Sequence, residues 1–526
     1  MSRILTGVFD ENPGWEQLLQ QEGAPWCRRE EEELFQSAPV IVAGDETSPD
    51  DSHRLRQLLR EGRMLLCTAA AAELIAGTAA KRRLLKSLRP GNDPLFGGIG
   101  LTDLYLQGRI YPGSALLPDE KGVPTVYHGE LGGGYAVVLP FDPASAVVDR
   151  RTLTKSFYSP SPRLPYERVP LVSRQEVRTI VSRALTHLYH RLGLPYIHRW
   201  YYPDASPSVA ALRIDTDFAS EAELRTLQEL GAATGTYFSW FIDVESQAGH
   251  LGFYRSLAGH ETGLHCYSHR IYRTPADAEA DLGKALGALS DAQVRTEGVA
   301  LPYGQWSPEL GKVLDRLDFR YSSEFAYDAD NLPSWPDLGY YRSTLLQVPV
   351  HPISIGNLRR QGYGTEAMAE YFRRIVRTKI GRREPTLLYH HPRNGGTDIL
   401  RSVITQFGEA GVPVVKLSAY AAWWVDRCAE RPVIDAGADR IRIDGLTGRS
   451  PAMFRIAAAD GREAFTAPAP TIATASLAWT PPPVPVPLPE DILRIRRYNP
   501  WVALQRAEDL LAALFRDKPK KSPKTI

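Results

Sequence analysis

Two aspartates separated by a single threonine, Asp215 and Asp217 in RIDTD, close an apolar run, ALRI, that reads as a strand. Strand alternation points both carboxylates the same way, where they repel unless a cation or a shared proton intervenes. Further on, His265 and His269 bracket HCYSH. Two imidazoles at that spacing, on a helical turn or in a curled loop, converge on one point and can hold a divalent metal. Either pair alone is commoner in solvated turns or buried structure than in metal sites. Joined, Asp217, His265 and His269 make a two-histidine, one-carboxylate set that leaves coordination positions for water and substrate. Leu301-Pro302-Tyr303-Gly304 ends another strand-like run in a turn able to offer a backbone N–H to a developing oxyanion. His390-His391-Pro392 ends a third; one of these histidines would supply a general acid, and the other reads as buried structure.

The elements that must position these residues belong to a chain of 526 residues, long enough for two or three folded units. Lys plus Arg number 62 and Asp plus Glu 61, a formal net charge of +1, so no global field gathers a polyanion and nucleic-acid binding is excluded as an expectation. No apolar run is long enough to span a bilayer, and the first residues meet charge and proline before any signal core, so the expected compartment is the cytoplasm. The four cysteines, Cys27, Cys67, Cys266 and Cys428, form no CxxC pair, which argues against a zinc knuckle or a disulfide framework.

The fold class is α/β, in five parts. Residues 1–170 read as an N-terminal α/β domain: PVIVAGDE, a charged helix and MLLCTA, with GGGYAVVLPFD as a closing strand. Element order alone makes this region resemble flavodoxin-like, glutamine-amidotransferase-like domains. Cys67 lies between Leu66 and Thr68 without the glycines of a nucleophile turn, so it reads as a buried structural thiol. GGG and GGIG read as ordinary turns rather than phosphate cradles. Residues 171–207 are a connecting helix capped by Ser173, then a Pro- and Tyr-rich linker. Residues 208–428 carry eight strand-like segments, from ALRIDTD to VPVVKLS, alternating with helices, the pattern of a (β/α) barrel. Residues 429–475 alternate as a small antiparallel β unit. Residues 476–526 hold a proline spacer and an amphipathic helix, with Trp501, Leu504, Leu511, Leu514 and Phe515 on one face, then a lysine-rich tail. Packing on its own domain is the commoner fate of such a helix; docking of residues 500–526 on an anionic membrane surface is the other.

The ordered set RIDTD, TYF, GLHCYSH, LPYG, YSSEF and LLYHHP resembles the polysaccharide deacetylase family, the NodB-homology or carbohydrate esterase family 4 domain, over about two fifths of the chain. That resemblance implies a distorted (β/α)7 barrel and one divalent metal, and removal of an N- or O-acyl group from a sugar. Carried over by residue, it makes Asp215 the general base, Asp217, His265 and His269 the metal ligands, the Tyr303 backbone N–H an oxyanion donor and His391 the general acid. The RIDTD form is also similar to deformylases acting on lipid-linked aminosugars. Zinc suits the ligand types, and cobalt, nickel and iron suit them too.

Two departures from the family pattern stand out. The third motif's arginine, two residues before its proline, is Ala300 here; its loss would raise the pKa of Asp215 unless Arg213 or Arg393 reaches in. The fourth motif, an acid and a tryptophan supporting the catalytic histidine, falls among Asp328, Asp330 and Trp335. His351 in VPVHPIS reads as structural. The sequence thus points to a metal-dependent hydrolase that removes an acetyl or formyl group from an amino sugar or glycan, nucleotide- or lipid-linked, in surface polysaccharide or glycolipid assembly. A catalytically impaired deacetylase-like module that binds glycan or scaffolds a complex is the alternative.

Overall fold

The computed structural model describes residues 1–90, 93–157, 164–481 and Leu504. Apart from Leu504, the amphipathic helix and basic tail expected over 500–526 lie outside the described residues, as does the proline spacer beyond Pro481. Seven parallel strands form one sheet in the order Leu346–Gln347, Tyr321–Ser322, Gly298–Val299, Glu261–Cys266, Ser239–Asp243, Ala210–Asp215 and Thr386–His390. Its two edges approach each other: the backbone N–H of His351, just past the first of these strands, donates to the Leu387 carbonyl in the last at 2.7 Å. The sheet is therefore a curled, uneven parallel barrel, three of its staves being two residues long. The eighth strand-like segment, VPVVKLS, makes an isolated bridge, Val414 to Ala210, and runs straight into the helix Leu417–Cys428.

Alternation along each strand sorts its residues between two cores. Leu212 and Ile214 join Trp240, Ile242 and Leu264 in the layer beneath the surrounding helices. Ala211 faces the other way, with Phe241, Ala300, Tyr321, Leu387 and Tyr389, into the barrel interior. Arg213 and Asp215 share that inward phase, so a cation and an anion are set among aromatic rings, the Arg213 guanidinium 5.0 Å from the Tyr389 ring centre and 5.8 Å from that of Phe241.

Residues before the barrel build a second seven-stranded sheet. Five parallel strands, Trp26–Arg28, Thr6–Val8, Val40–Ala43, Met64–Thr68 and Gly134–Leu139, stand in chain order 2-1-3-4-5, an order of doubly wound sheets, and two antiparallel strands, Pro124–Leu131 and Leu116–Pro118, extend one edge. Cys67 is 1% exposed near the end of its strand, and burial pushes its thiol well above the ordinary range. The helix Arg174–Arg191 packs against this sheet; Ser173 stands at its N-cap, but its hydroxyl accepts from the Asp103 N–H instead of capping the first turn.

At the carboxyl ends of these strands Asp10 accepts from the Gly44 N–H through one oxygen while the other is buried without a partner. Burial, opposed by that hydrogen bond and reinforced by Asp142, pushes Asp10 up to about 7. The folded state thus holds this proton more tightly than the unfolded chain. The resulting penalty is absent below the unfolded value near 4, grows as pH rises through 4 to 7, and is complete above 7. Asp10→Asn, which keeps an acceptor for Gly44, is expected to raise thermal stability at pH 8, by on the order of 1–2 kcal/mol, and to leave it unchanged at pH 4. Equal melting shifts at both pH values would refute this.

The strands after the barrel fall into two small sheets, each completed by an earlier part of the chain. Val433–Ala436 pairs antiparallel with Ser2–Ile4, in the register Ser2 to Ala436, and Phe454–Ala457 pairs antiparallel with Tyr196–Arg199. Among the described residues no helix is long and apolar enough to cross a membrane.

Candidate active site

The carboxyl ends of three barrel strands bring Asp215, His265 and His391 together, and the turns that follow add Asp217 and His269. His265, 2% exposed, gives its Nδ1 to the Ala300 carbonyl at 2.5 Å. That bond fixes the tautomer with the proton on Nδ1 and leaves Nε2 as a lone pair facing inward. Nε2 of His265 is 4.0 Å from Oδ1 of Asp217, and Nε2 of His269 is 3.8 Å from Oδ2 of the same carboxylate. Ligand atoms of all three lie within 4.8 Å of one another. Oδ1 of Asp217, Oδ1 of Asp215 and Nε2 of His265 are buried with no hydrogen-bond partner among the described residues. Inward lone pairs without donors are what a cation satisfies, so the residues present fit a divalent metal. Burial, then the charges of Asp215 and Asp243 working against His269, pushes the Asp217 carboxyl up to about 7, a like-charge crowding that a bound cation would relieve.

Asp215 shows how the missing motif arginine is replaced. Nη2 of Arg213 donates to its Oδ2 at 2.7 Å, and both side chains are almost fully buried. Nη1 of Arg213 is anchored on the Ser323 carbonyl and hydroxyl, which holds the guanidinium in place. Burial alone would raise the carboxyl; Arg213, followed by His265 and His391, outweighs burial and holds Asp215 below the usual carboxylate range. The expected rise in its pKa therefore does not occur. Of the two candidate substitutes, Arg213 reaches Asp215, whereas the Arg393 guanidinium lies 5.6 Å from the Phe218 ring centre at the surface.

His391 stands across from the triad, Nε2 3.6 Å from Oδ1 of Asp217, with Nδ1 buried and unpartnered. Burial, opposed by Asp215 and reinforced by Arg213, holds it near 4. His390 turns away and is 1% exposed, with neither ring nitrogen partnered among the described residues. Tyr303 occupies the turn after the Gly298–Val299 strand at φ 59°, its ring 4.8 Å from that of His269. None of the three fourth-motif candidates meets His391 in any hydrogen bond, ion pair or ring contact among the described residues: Asp330 is held by His351 and Lys379. Asp328 is buried, accepting from the Ala329 N–H and the Asn331 amide, and Trp335 packs beneath the Arg342 guanidinium. His351 is structural, bonded to Asp330 through Nδ1 and to the Tyr371 hydroxyl through Nε2.

No family model and no curated protein matches the chain. Parts of solved structures are similar to it. A polysaccharide deacetylase from Mycobacterium smegmatis is 19% identical, with a TM-score of 0.38 over 42% of this chain and 92% of that one. A family 4 carbohydrate esterase from Streptomyces lividans, in complex with acetate, is 13% identical, with a TM-score of 0.29 over 40% and 92%. A CE4 family pseudoenzyme from Bacillus anthracis is 14% identical, with a TM-score of 0.31 over 42% and 66%. The geometry of the site itself carries the functional reading.

Several contributors escape a reading of motifs. Asp281, in the helix Pro275–Asp291, accepts from the Tyr267 and Ser268 N–H groups and from the Tyr272 hydroxyl, which pins the turn that aims His269. Its signal is an acid on the buried face of an Ala- and Leu-rich helix. Glu324, fully buried, accepts from the Leu301 N–H and so anchors the Tyr303 turn. Phe218, at φ 56° and 57% exposed, lies with its ring 5.7 Å from that of His269. An aromatic side chain held left-handed and in water costs about 1–2 kcal/mol. Phe218→Gly is therefore expected to raise stability by about 1 kcal/mol, read by chemical denaturation. Unchanged or lowered stability would refute this.

Proposed function

We propose that this protein is a metal-dependent hydrolase of the polysaccharide deacetylase type, which removes an acetyl or formyl group from the nitrogen of an amino sugar in surface polysaccharide or glycolipid assembly. The observation that carries this reading is the pairing of Arg213 with Asp215 beside the inward-facing Asp217, His265 and His269. It leaves one carboxylate ionised as a base within reach of a cluster whose own lone pairs call for a cation. A divalent metal held by Asp217, His265 and His269 would supply Lewis acidity toward the acyl oxygen and lower the pKa of water. Asp215, kept ionised by Arg213, takes the proton of the attacking water. His391, whose Nε2 lies 3.6 Å from Oδ1 of Asp217, is the group that would pass a proton to the departing nitrogen, without which an amine is a very poor leaving group. The turn at Tyr303 presents backbone N–H toward the developing oxyanion.

One observation favours the second reading, an impaired glycan-binding module: Nδ1 of His391 has no partner to orient it. Acetate and formate release from N-acetylated and N-formylated amino sugars, offered free, nucleotide-linked and lipid-linked, with and without a chelator, separates the two. Chelator-sensitive release establishes the hydrolase. Retained glycan affinity with no release from any substrate favours the binding module.

A further inference from the structure

At the opposite end of the barrel from the triad, a cavity of about 280 Å³ opens between the helix Arg174–Arg191, the turn Arg382–Glu384 and the strand pair Phe454–Ala457 with Glu463–Thr466. The turn immediately precedes Thr386, where the last barrel strand begins; His390 ends that strand, so its whole length separates the cavity from the site. Arg178, Arg183, Arg382, Arg383 and Arg455 line the cavity, and Glu384 is the one acidic residue among its walls.

The surrounding carboxylates fall one short of this charge. Glu22 takes Arg178 at 3.1 Å, and Arg382 holds both Glu176 at 2.6 Å and Glu384 at 3.0 Å. A single carboxylate, Glu463, is divided between Arg383 and Arg455. No ion pair joins Arg183 to a carboxylate among the described residues. Nε of Arg178, a side chain 5% exposed, has no hydrogen-bond partner among the described residues. His198 accepts from Arg455 at 3.4 Å and, held by burial near 4, is neutral near pH 7. The hydroxyls along the helix are already spent: Thr179 and Thr186 donate to carbonyls of their own helix, and Ser182 donates to Glu22.

We infer that this cavity binds a phosphoryl group, as part of a phosphorylated small molecule or a phospholipid headgroup. Guanidinium groups from three separate elements surround one volume, which suits a compact anion with several acceptor oxygens better than a planar carboxylate that a single fork would satisfy. The cavity also exceeds a bare phosphoryl group, leaving space for the rest of a phosphate ester. This site stands independently of the hydrolase reading.

The test uses the full chain with inorganic pyrophosphate as the soluble probe, against sodium chloride at matched ionic strength. Phosphatidylcholine vesicles with and without phosphatidic acid are the second probe. Arg183→Glu, at an exposed helix position, reverses the unbalanced charge, and Arg183→Lys keeps it; circular dichroism confirms that both fold. Saturable pyrophosphate binding by calorimetry, weakened about tenfold or more by Arg183→Glu and largely kept by Arg183→Lys, supports a soluble phosphate ester. Co-sedimentation with phosphatidic acid vesicles alone, lost in Arg183→Glu, supports a headgroup. Absence of both, or binding indifferent to Arg183→Glu, overturns the inference.

Discussion

Replacing His265 with alanine will strip stoichiometric divalent metal from the purified protein and lower acyl release by roughly a thousandfold or more, since the metal contributes several kcal/mol to such a transition state. His265 is the most constrained of the three residues that could hold the metal: its Nδ1 is tied to the Ala300 carbonyl, so its Nε2 cannot rotate away from Asp217. The imidazole that replaces solvent there is buried, and no water can stand in for it at comparable cost. Elemental analysis and the acyl-release assay on the same preparations decide the matter. Retention of one metal per chain in the variant would show that the cluster is not the metal site, whatever the activity.

Arg213→Met is expected to have the second large effect, and to have it in two places. Removing one partner of a buried ion pair leaves the other charge uncompensated, a destabilisation of about 3–5 kcal/mol. In the native protein Arg213 outweighs burial and keeps Asp215 ionised at neutral pH. Without it burial dominates and the carboxyl pKa rises, so the acid limb of the pH–rate profile moves upward and activity recovers only toward alkaline pH. The double variant Arg213→Met with Asp215→Asn removes the orphaned charge as well and should be less destabilised than the sum of the single changes. Additivity of the two within about 0.5 kcal/mol would show that the pair does not couple.

That pair also marks the boundary of what the residues disclose in one dimension. Asp217, His265 and His269 stand out because their spacing is chemical, and each follows a strand whose apolar run is plain. Arg213 lies inside such a run, in ALRID, where a charge looks like an intrusion. Only the inward phase it shares with Asp215, inside a closed sheet, turns the intrusion into a partner. The fourth-motif region is illegible for the opposite reason. Residues 323–345 carry several acids and little periodicity, which leaves Asp328, Asp330 and Trp335 as equivalent candidates in sequence, and the loop sets them against Asn331, His351 and Arg342. The barrel strands Gly298–Val299 and Tyr321–Ser322 pair over only two residues each before the chain turns toward the site, a shortness that apolar periodicity does not disclose. Asp281 was invisible because a helical acid announces nothing about the turn it caps from outside.

The pairing of Ser2–Ile4 with Val433–Ala436 has a bearing on biogenesis. At roughly 5–20 residues per second, a nascent chain would emerge for roughly 20–90 seconds between synthesis of the first strand and arrival of its partner. For that interval the strand Ser2–Ile4 has an unsatisfied edge, and so does the strand Tyr196–Arg199, which waits for Phe454–Ala457. Neither sheet can close vectorially. Such long-range closure slows folding and leaves unpaired strands open to chaperones or to another chain, so the yield of active protein will depend on how those early edges are guarded during translation.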